Sequence, residues 1–157
     1  MSRWPERLTL FFERPVPIFS HLAAAPKGQV PFVCRGYGFH PELESGLLWI
    51  YILKSQWLRL KERQGERMEL AALLTSGADN ESYQFKGPFK EIRLLNKEDA
   101  IALEERQKWV KTHTPNLAPL IQTASSECIA VGIEISAVFV QTPGPDAGSQ
   151  MTGRSCE

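Results

Sequence analysis

The chain has 157 residues, and its eighteen Lys and Arg are matched by eighteen Asp and Glu. That length fits a single domain, since domains cluster at roughly 100–150 residues, and it is enough for one proper core. Balanced charge with no basic stripe argues against nucleic acid, and the longest apolar run, Leu47–Leu53, is far short of the ~20 residues of a membrane helix. The opening Met1–Glu6 has no apolar signal-peptide core, and Cys34, Cys128 and Cys156 make no CxxC pair and no even set. The expectation is a cytoplasmic protein without a disulfide framework or a zinc site, with residues 1–148 as one domain and 149–157 as a disordered tail.

Pro5–Glu13 has a helical pattern, with Leu8, Leu10, Phe11 and Phe12 on one side and Pro15 ending it. Val16–Ala25 reads as an apolar strand closed by the turn Pro26-Lys27-Gly28-Gln29, and Val30–Gly38 as a second strand able to pair with it. His40–Gly46 reads as a loop. Leu47–Leu53 is uniformly apolar, as a strand covered on both faces must be. The period then changes: Trp57, Leu58 and Leu60 among Arg59, Lys61, Glu62 and Arg63 make an amphipathic helix over 55–63 with Ser55 as N-cap.

Met68–Leu74 is a fourth strand and Tyr83–Leu95 a long fifth. Asn96 caps a second long helix that runs to about His113, with Glu98 and Asp99 at its positive end. Cys128–Val140 alternates, with Ile129, Val131, Ile133 and Ile135 on one parity and Val138 and Val140 after a switch. Six mostly sequential strands with few intervening helices exclude a doubly wound sheet and favour a six-stranded antiparallel Greek-key barrel with peripheral helices.

One segment is chemically distinctive. In Ser82-Tyr83-Gln84-Phe85-Lys86-Gly87, alternation sends Tyr83 and Phe85 into a core and Ser82, Gln84 and Lys86 to the other face. An amide and a cation side by side suit a ligand that is anionic and hydrogen-bonding. An ordinary half-buried strand with a wet outer face reads the same way.

Catalytic templates find little. There is no G-x-S-x-G elbow and no phosphate-binding G-x-x-x-x-G-K loop, and Cys34 reads as a small core residue. His21, His40 and His113 are too dispersed for a metal cluster, and His113 suits a helix C-terminus. What remains is anion binding: Arg35 interrupts an apolar strand, and Lys54-Ser55 joins a strand to a helix start. A site with such groups and no nucleophile suits a cofactor that carries the chemistry itself.

Three passages carry a resemblance. They are Met68–Leu74 followed by Glu81–Gly87, the strand–helix junction Trp49–Leu60, and the closure Val138-Phe139-Val140-Gln141-Thr142-Pro143-Gly144-Pro145-Asp146-Ala147-Gly148. In order and spacing they resemble the pyridoxamine 5′-phosphate oxidase-like FMN-binding split-barrel family, in its small members, over most of residues 5–148.

The resemblance implies a six-stranded split barrel and a homodimer with two FMN sites at the subunit interface. It places Arg35, Lys54 and Ser55 near the phosphate, and Gln84, Lys86 and Gln141 near the flavin or its ribityl chain. It implies a flavin-dependent oxidoreductase of unspecified substrate. Only one cation precedes Arg59 in Leu53–Trp57, and the Gln141–Gly148 closure replaces the oxidase's substrate-binding segment, so vitamin B6 oxidation is not implied. Relatives of the barrel also bind haem, for which His21 and His40 are the candidate ligands, deazaflavin or no cofactor, and a flavin-storing or ligand-sensing protein without turnover is the competing class. A monomeric barrel that binds a ligand without flavin is the other alternative. Against it, Trp49, Trp57, Trp109 and Phe89 exceed what one small core covers, which predicts a partner.

Overall fold

Alternation of inward and outward residues builds β-strands at 18–24, 69–76 and 82–87, and continuous apolar runs build those at 47–53 and 128–134. The computed structural model describes residues 4–62 and 68–151. Helix α1 (Glu6–Phe12) leads into β1 (Ile18–Ala24), β2 (Phe32–Gly36), β3 (Gly38–Glu42) and β4 (Leu47–Leu53). Helix α2 (Lys54–Glu62) follows, then β5 (Glu69–Ser76), β6 (Ser82–Leu94) and α3 (Lys97–His113). Short helix α4 (Ala118–Ile121) lies between 3₁₀ turns at Pro115–Leu117 and Ser125–Glu127, and β7 (Cys128–Glu134) and β8 (Ala137–Val140) close the sheet.

The strands follow the order β2-β1-β5-β6-β7-β4-β3, with β8 added beside β6. Every pairing is antiparallel. The two ends of the path, β2 and β3, are consecutive in the chain, and between them the Tyr37 N–H donates to the Tyr51 carbonyl at 2.7 Å. β6 belongs to both halves: its first part pairs with β5 and β8, its last part with β7. The result is a mainly β antiparallel sheet with helices, open and resembling a split barrel.

Eight strands replace the six expected. β3 arises in the stretch read as a loop, because His40 and Pro41 break the alternation; as an edge strand it tolerates a proline without an N–H. Cys128–Val140 is two strands, and the parity switch marks where the chain turns from β4 and β6's far end back to β6's near end. There the Ser136 N–H donates to the Lys86 carbonyl at 2.9 Å.

The inward positions Leu22, Leu48, Ile50, Leu74, Tyr83, Phe85, Val131 and Ile133 form one core. α1 closes it with Leu8 and Phe11, whose ring meets Tyr83 edge-on at 4.9 Å, and α2 closes it with Trp57 and Leu60. α2 starts at Lys54, directly out of β4, so Ser55 sits inside the first turn and is not the N-cap expected of it. Arg63, placed at the end of that helix, lies outside the described residues. Asn96 does cap α3: its side chain accepts from the Asp99 N–H while the Asp99 carboxylate accepts from the Asn96 N–H.

The outer face of β4 is covered too. Trp49, Tyr51 and Ala130 form a second cluster, and the Arg93 guanidinium lies 4.5 Å from the Trp49 ring centre. Trp57 is buried against Phe89, ring centres 5.2 Å apart. Of the four aromatics that predict a partner, Trp49 and Trp57 are buried within this chain, whereas Phe89 and Trp109 are half-buried. Past Gly148 the chain folds back along β8: Val140 donates to the Ser149 carbonyl at 2.9 Å and Met151 to Val138 at 2.8 Å. Residues 152–157 of the expected tail are outside the described range.

Candidate functional site

The pairing register assembles what the sequence left scattered. Arg35 on β2 faces His21 on β1, His21 faces Leu73 on β5, Leu73 faces Gln84 on β6, and Gln84 faces Phe139 on β8. The next row reads Val33, Ala23, Ala71, Lys86 and Ala137. Both rows lie on the outer face, because their chain neighbours Leu22, Cys34, Ala72, Tyr83, Phe85, Val138 and Val140 point into the core. Arg35, His21 and Lys86 are exposed, and Leu73, Gln84 and Phe139 are half-buried.

Leu73, Ala71 and Ala23 lie between Arg35 and His21 on one side and Gln84 and Lys86 on the other. Phe139 and Leu73 flank Gln84, and the Lys86 ammonium stands 4.9 Å from the Phe139 ring centre. Gln141, just beyond β8, directs its amide toward the Gln84 side-chain oxygen at 3.5 Å. Gln84 and Gln141 are thus neighbours, and Lys86 lies one row along on the same face. From Arg35 to Gln84 the row crosses three strand spacings, roughly 14 Å. The face offers small apolar side chains between an amide pair at one end and a guanidinium at the other.

The other expected phosphate groups lie elsewhere. Lys54 follows Leu53, which pairs with Cys128, and its ammonium donates to the Ser126 carbonyl at 2.8 Å. Ser55 is exposed on α2. Arg35 likewise spends one donor on the Leu120 carbonyl at 2.7 Å. Both cations thus clamp the connection between α3 and β7. A guanidinium has five N–H donors, so Arg35 keeps capacity for a ligand.

Under that clamp is a cleft of about 250 Å³, lined by Phe19, Ser20, His21, Arg35, Leu120 and Ile121. Ser20 is buried, and its hydroxyl has no hydrogen-bond partner. Opposite it only glycine fits: a Cβ on Gly36 would lie 2.1 Å from the Ser20 Oγ. His21 is held below the ordinary imidazole pKa, first by desolvation and then by the Arg35 charge. Burial pushes the Cys34 thiol up to about 11, as a core cysteine requires.

The two haem-ligand candidates lie in different halves of the sheet, His21 on β1 and His40 on β3 opposite Trp49. The described residues contain no group of three or more His, Cys, Asp or Glu able to hold a metal. His113 stacks on Trp109, ring centres 4.1 Å apart, in the last turn of α3. Phe139 and Leu73 were not singled out by sequence reasoning. Their place beside Gln84 depends on the register of three strands.

The sequence matches no protein-family model and no curated protein. Among solved structures it is similar to a candidate pyridoxamine 5′-phosphate oxidase from Lactobacillus delbrueckii, with TM-score 0.50 and 14% identity over 89% of this chain and 96% of the other. It is also similar to a histidine-to-alanine variant of HupZ from Group A Streptococcus, with TM-score 0.43 and 12% identity over 77% and 87%. The first likeness establishes the fold and carries no function. No helix among the described residues is long and apolar enough to cross a membrane.

Proposed function

We propose that the outer face of β2, β1, β5, β6 and β8 is an FMN surface, completed by a second copy of the chain, and that the protein is a flavin-dependent oxidoreductase. The observation that carries this is the single cross-strand row from Arg35 to Phe139. Support comes from the fold, shared with a candidate pyridoxamine 5′-phosphate oxidase over nearly its whole length.

The residues present fit such a group in kind. Leu73, Ala71 and Phe139 give an apolar bed, Gln84 and Gln141 supply amide donors and acceptors, and Lys86 and Arg35 supply positive charge. FMN, when bound, supplies the redox chemistry. The chain's part is to bind and orient. Arg35 would hold an anion at the β2 edge, and the neutral His21 beside it would donate its ring N–H to that anion. Val33, 61% exposed on the same face, and its apolar neighbours give the second copy a surface to cover.

Purified protein titrated with FMN tests the reading, with flavin fluorescence as the signal. Tight binding is expected, weakened more than tenfold by Gln84→Ala or Lys86→Ala, the usual loss when a charge-assisted bond is removed. Equal affinity of parent and both variants would remove FMN from this face. Sedimentation at micromolar concentration should show twice the 17.7 kDa chain mass. Anaerobic NADH or NADPH should bleach the bound flavin; a flavin that neither reduces would mark a storage or sensing protein.

A further inference from the structure

A second cleft, of about 490 Å³, opens between α3, the segment entering β1 and the start of β3. Its walls are Phe12, Phe39, Tyr51 and Trp109, and from α3 Arg106 reaches into its lining. Arg106 is unusual among the cations of this molecule. Arg14, on the same rim, is bound by Asp79 and Glu81 at 2.9 and 2.6 Å, and Arg93 is bound by Asp99. Arg106 has no acidic partner among the described residues, and its Nε is sealed from solvent without a hydrogen bond.

What holds the guanidinium is the Phe19 ring, 5.3 Å away. A ring face returns only part of the hydration a cation loses on burial. Desolvation accordingly pulls Arg106 down to about 10, far below an ordinary arginine. No carboxylate among the described residues pairs with this half-buried guanidinium, and the cleft beside it is empty of protein. Glu105, the one acidic residue in the lining, is exposed on the solvent side of α3.

We propose that this cleft binds a small monocarboxylate with an aromatic or aliphatic body, and that Arg106 is its anchor. A carboxylate matches the planar fork of a guanidinium and cancels one charge with one. A phosphate dianion would need more donors than this wall offers. The volume falls in the range of small-molecule sites, and the aromatic wall suits an apolar body. The site is separate from the Gln84 face and does not rest on flavin binding.

The test uses benzoate, phenyl phosphate and benzyl alcohol as probes, read by calorimetry on the whole chain without flavin. Benzoate should bind one to one, at least tenfold more tightly than either phenyl phosphate or benzyl alcohol. Arg106→Gln should weaken benzoate at least tenfold, with Arg106→Lys in between. Ala102→Trp, which fills the cleft from the exposed side of α3 and leaves Arg106 in place, should abolish binding. No benzoate binding by the parent, unchanged binding in Arg106→Gln or Ala102→Trp, or a preference for phenyl phosphate would each overturn the proposal. Far-ultraviolet circular dichroism shows whether each variant is folded. If Arg106→Gln is not, Ala102→Trp alone decides.

Discussion

At Gly87 the backbone of β6 runs against the chain leaving β7, so that a Cβ there would lie 1.9 Å from the carbonyl oxygen of Glu134. This is where β6 leaves β5 as partner and takes up β7, and the two half-sheets meet through it. Only a residue without a side chain permits that approach. Gly87→Ala should destabilise the protein by roughly 2–3 kcal/mol, because backbone on both sides must shift. Urea unfolding measures it, and an unchanged midpoint would mean that the two strands lie farther apart than described.

Among the described residues Asp99 is the most heavily hydrogen-bonded carboxylate. It receives the Arg93 guanidinium, the Tyr51 hydroxyl and the Asn96 N–H, and it is 4% exposed. Burial pushes its pKa up, but the bonds from Arg93, Tyr51 and Asn96 outweigh this and hold it below the ordinary carboxylate value. The folded pKa is therefore lower than the unfolded value of about 3.9, so the contribution is present above that unfolded value and is lost as pH falls through the folded one. Asp99→Ala leaves Arg93 and Tyr51 unpaired and should cost roughly 3–5 kcal/mol at neutral pH. Asp99→Asn should flatten the loss of stability below about pH 4, measured by thermal unfolding across pH.

The sheet was legible where each strand carried its own signal. Leu47–Leu53 reads as a doubly covered strand and is one, and Tyr83 and Phe85 alternate into the core against Gln84 and Lys86. β3 was not legible, because an edge strand containing His40 and Pro41 has neither alternation nor a full ladder to satisfy. The helix start at Lys54 was misplaced by one residue for a related reason. β4 passes into α2 with no intervening turn, so Ser55 had no cap to make.

Site residues divide in the same way. Gln84 and Lys86 share a strand face by periodicity alone, so their proximity needed no tertiary knowledge. Arg35 and Lys54 read as ligand cations because each stands out locally. Their carbonyl partners, Leu120 and Ser126, lie 85 and 72 residues away in a connection that local patterns do not place.

Ser20 offers a gain in stability. Its hydroxyl is buried without a partner opposite Gly36, and such a group costs about 1–3 kcal/mol of lost hydration. Ser20→Ala removes that cost and leaves a gap no larger than a methyl group. The net expectation is roughly 1 kcal/mol of added stability, read as a higher urea midpoint at constant slope. A lower midpoint would show that water or a ligand in the adjacent cleft already satisfies the hydroxyl.

His21 makes the proposed FMN face sensitive to pH. Desolvation and the neighbouring Arg35 keep its folded pKa below the unfolded value of about 6.5, so the imidazole is neutral at pH 7. In the absence of ligand the unfolded chain binds this proton more tightly, so stability falls as pH drops below that unfolded value. A bound anion reverses the local balance. Negative charge beside His21 favours the imidazolium, so binding takes up a proton and His21 strengthens FMN affinity as pH falls from 8 to 6. The FMN phosphate itself gains a proton near pH 6 and works the other way, but equally in parent and variant. The difference between parent and His21→Gln therefore isolates the residue. The ratio of their affinities should rise as pH falls, and a ratio constant from pH 8 to 6 would place the bound anion away from β1.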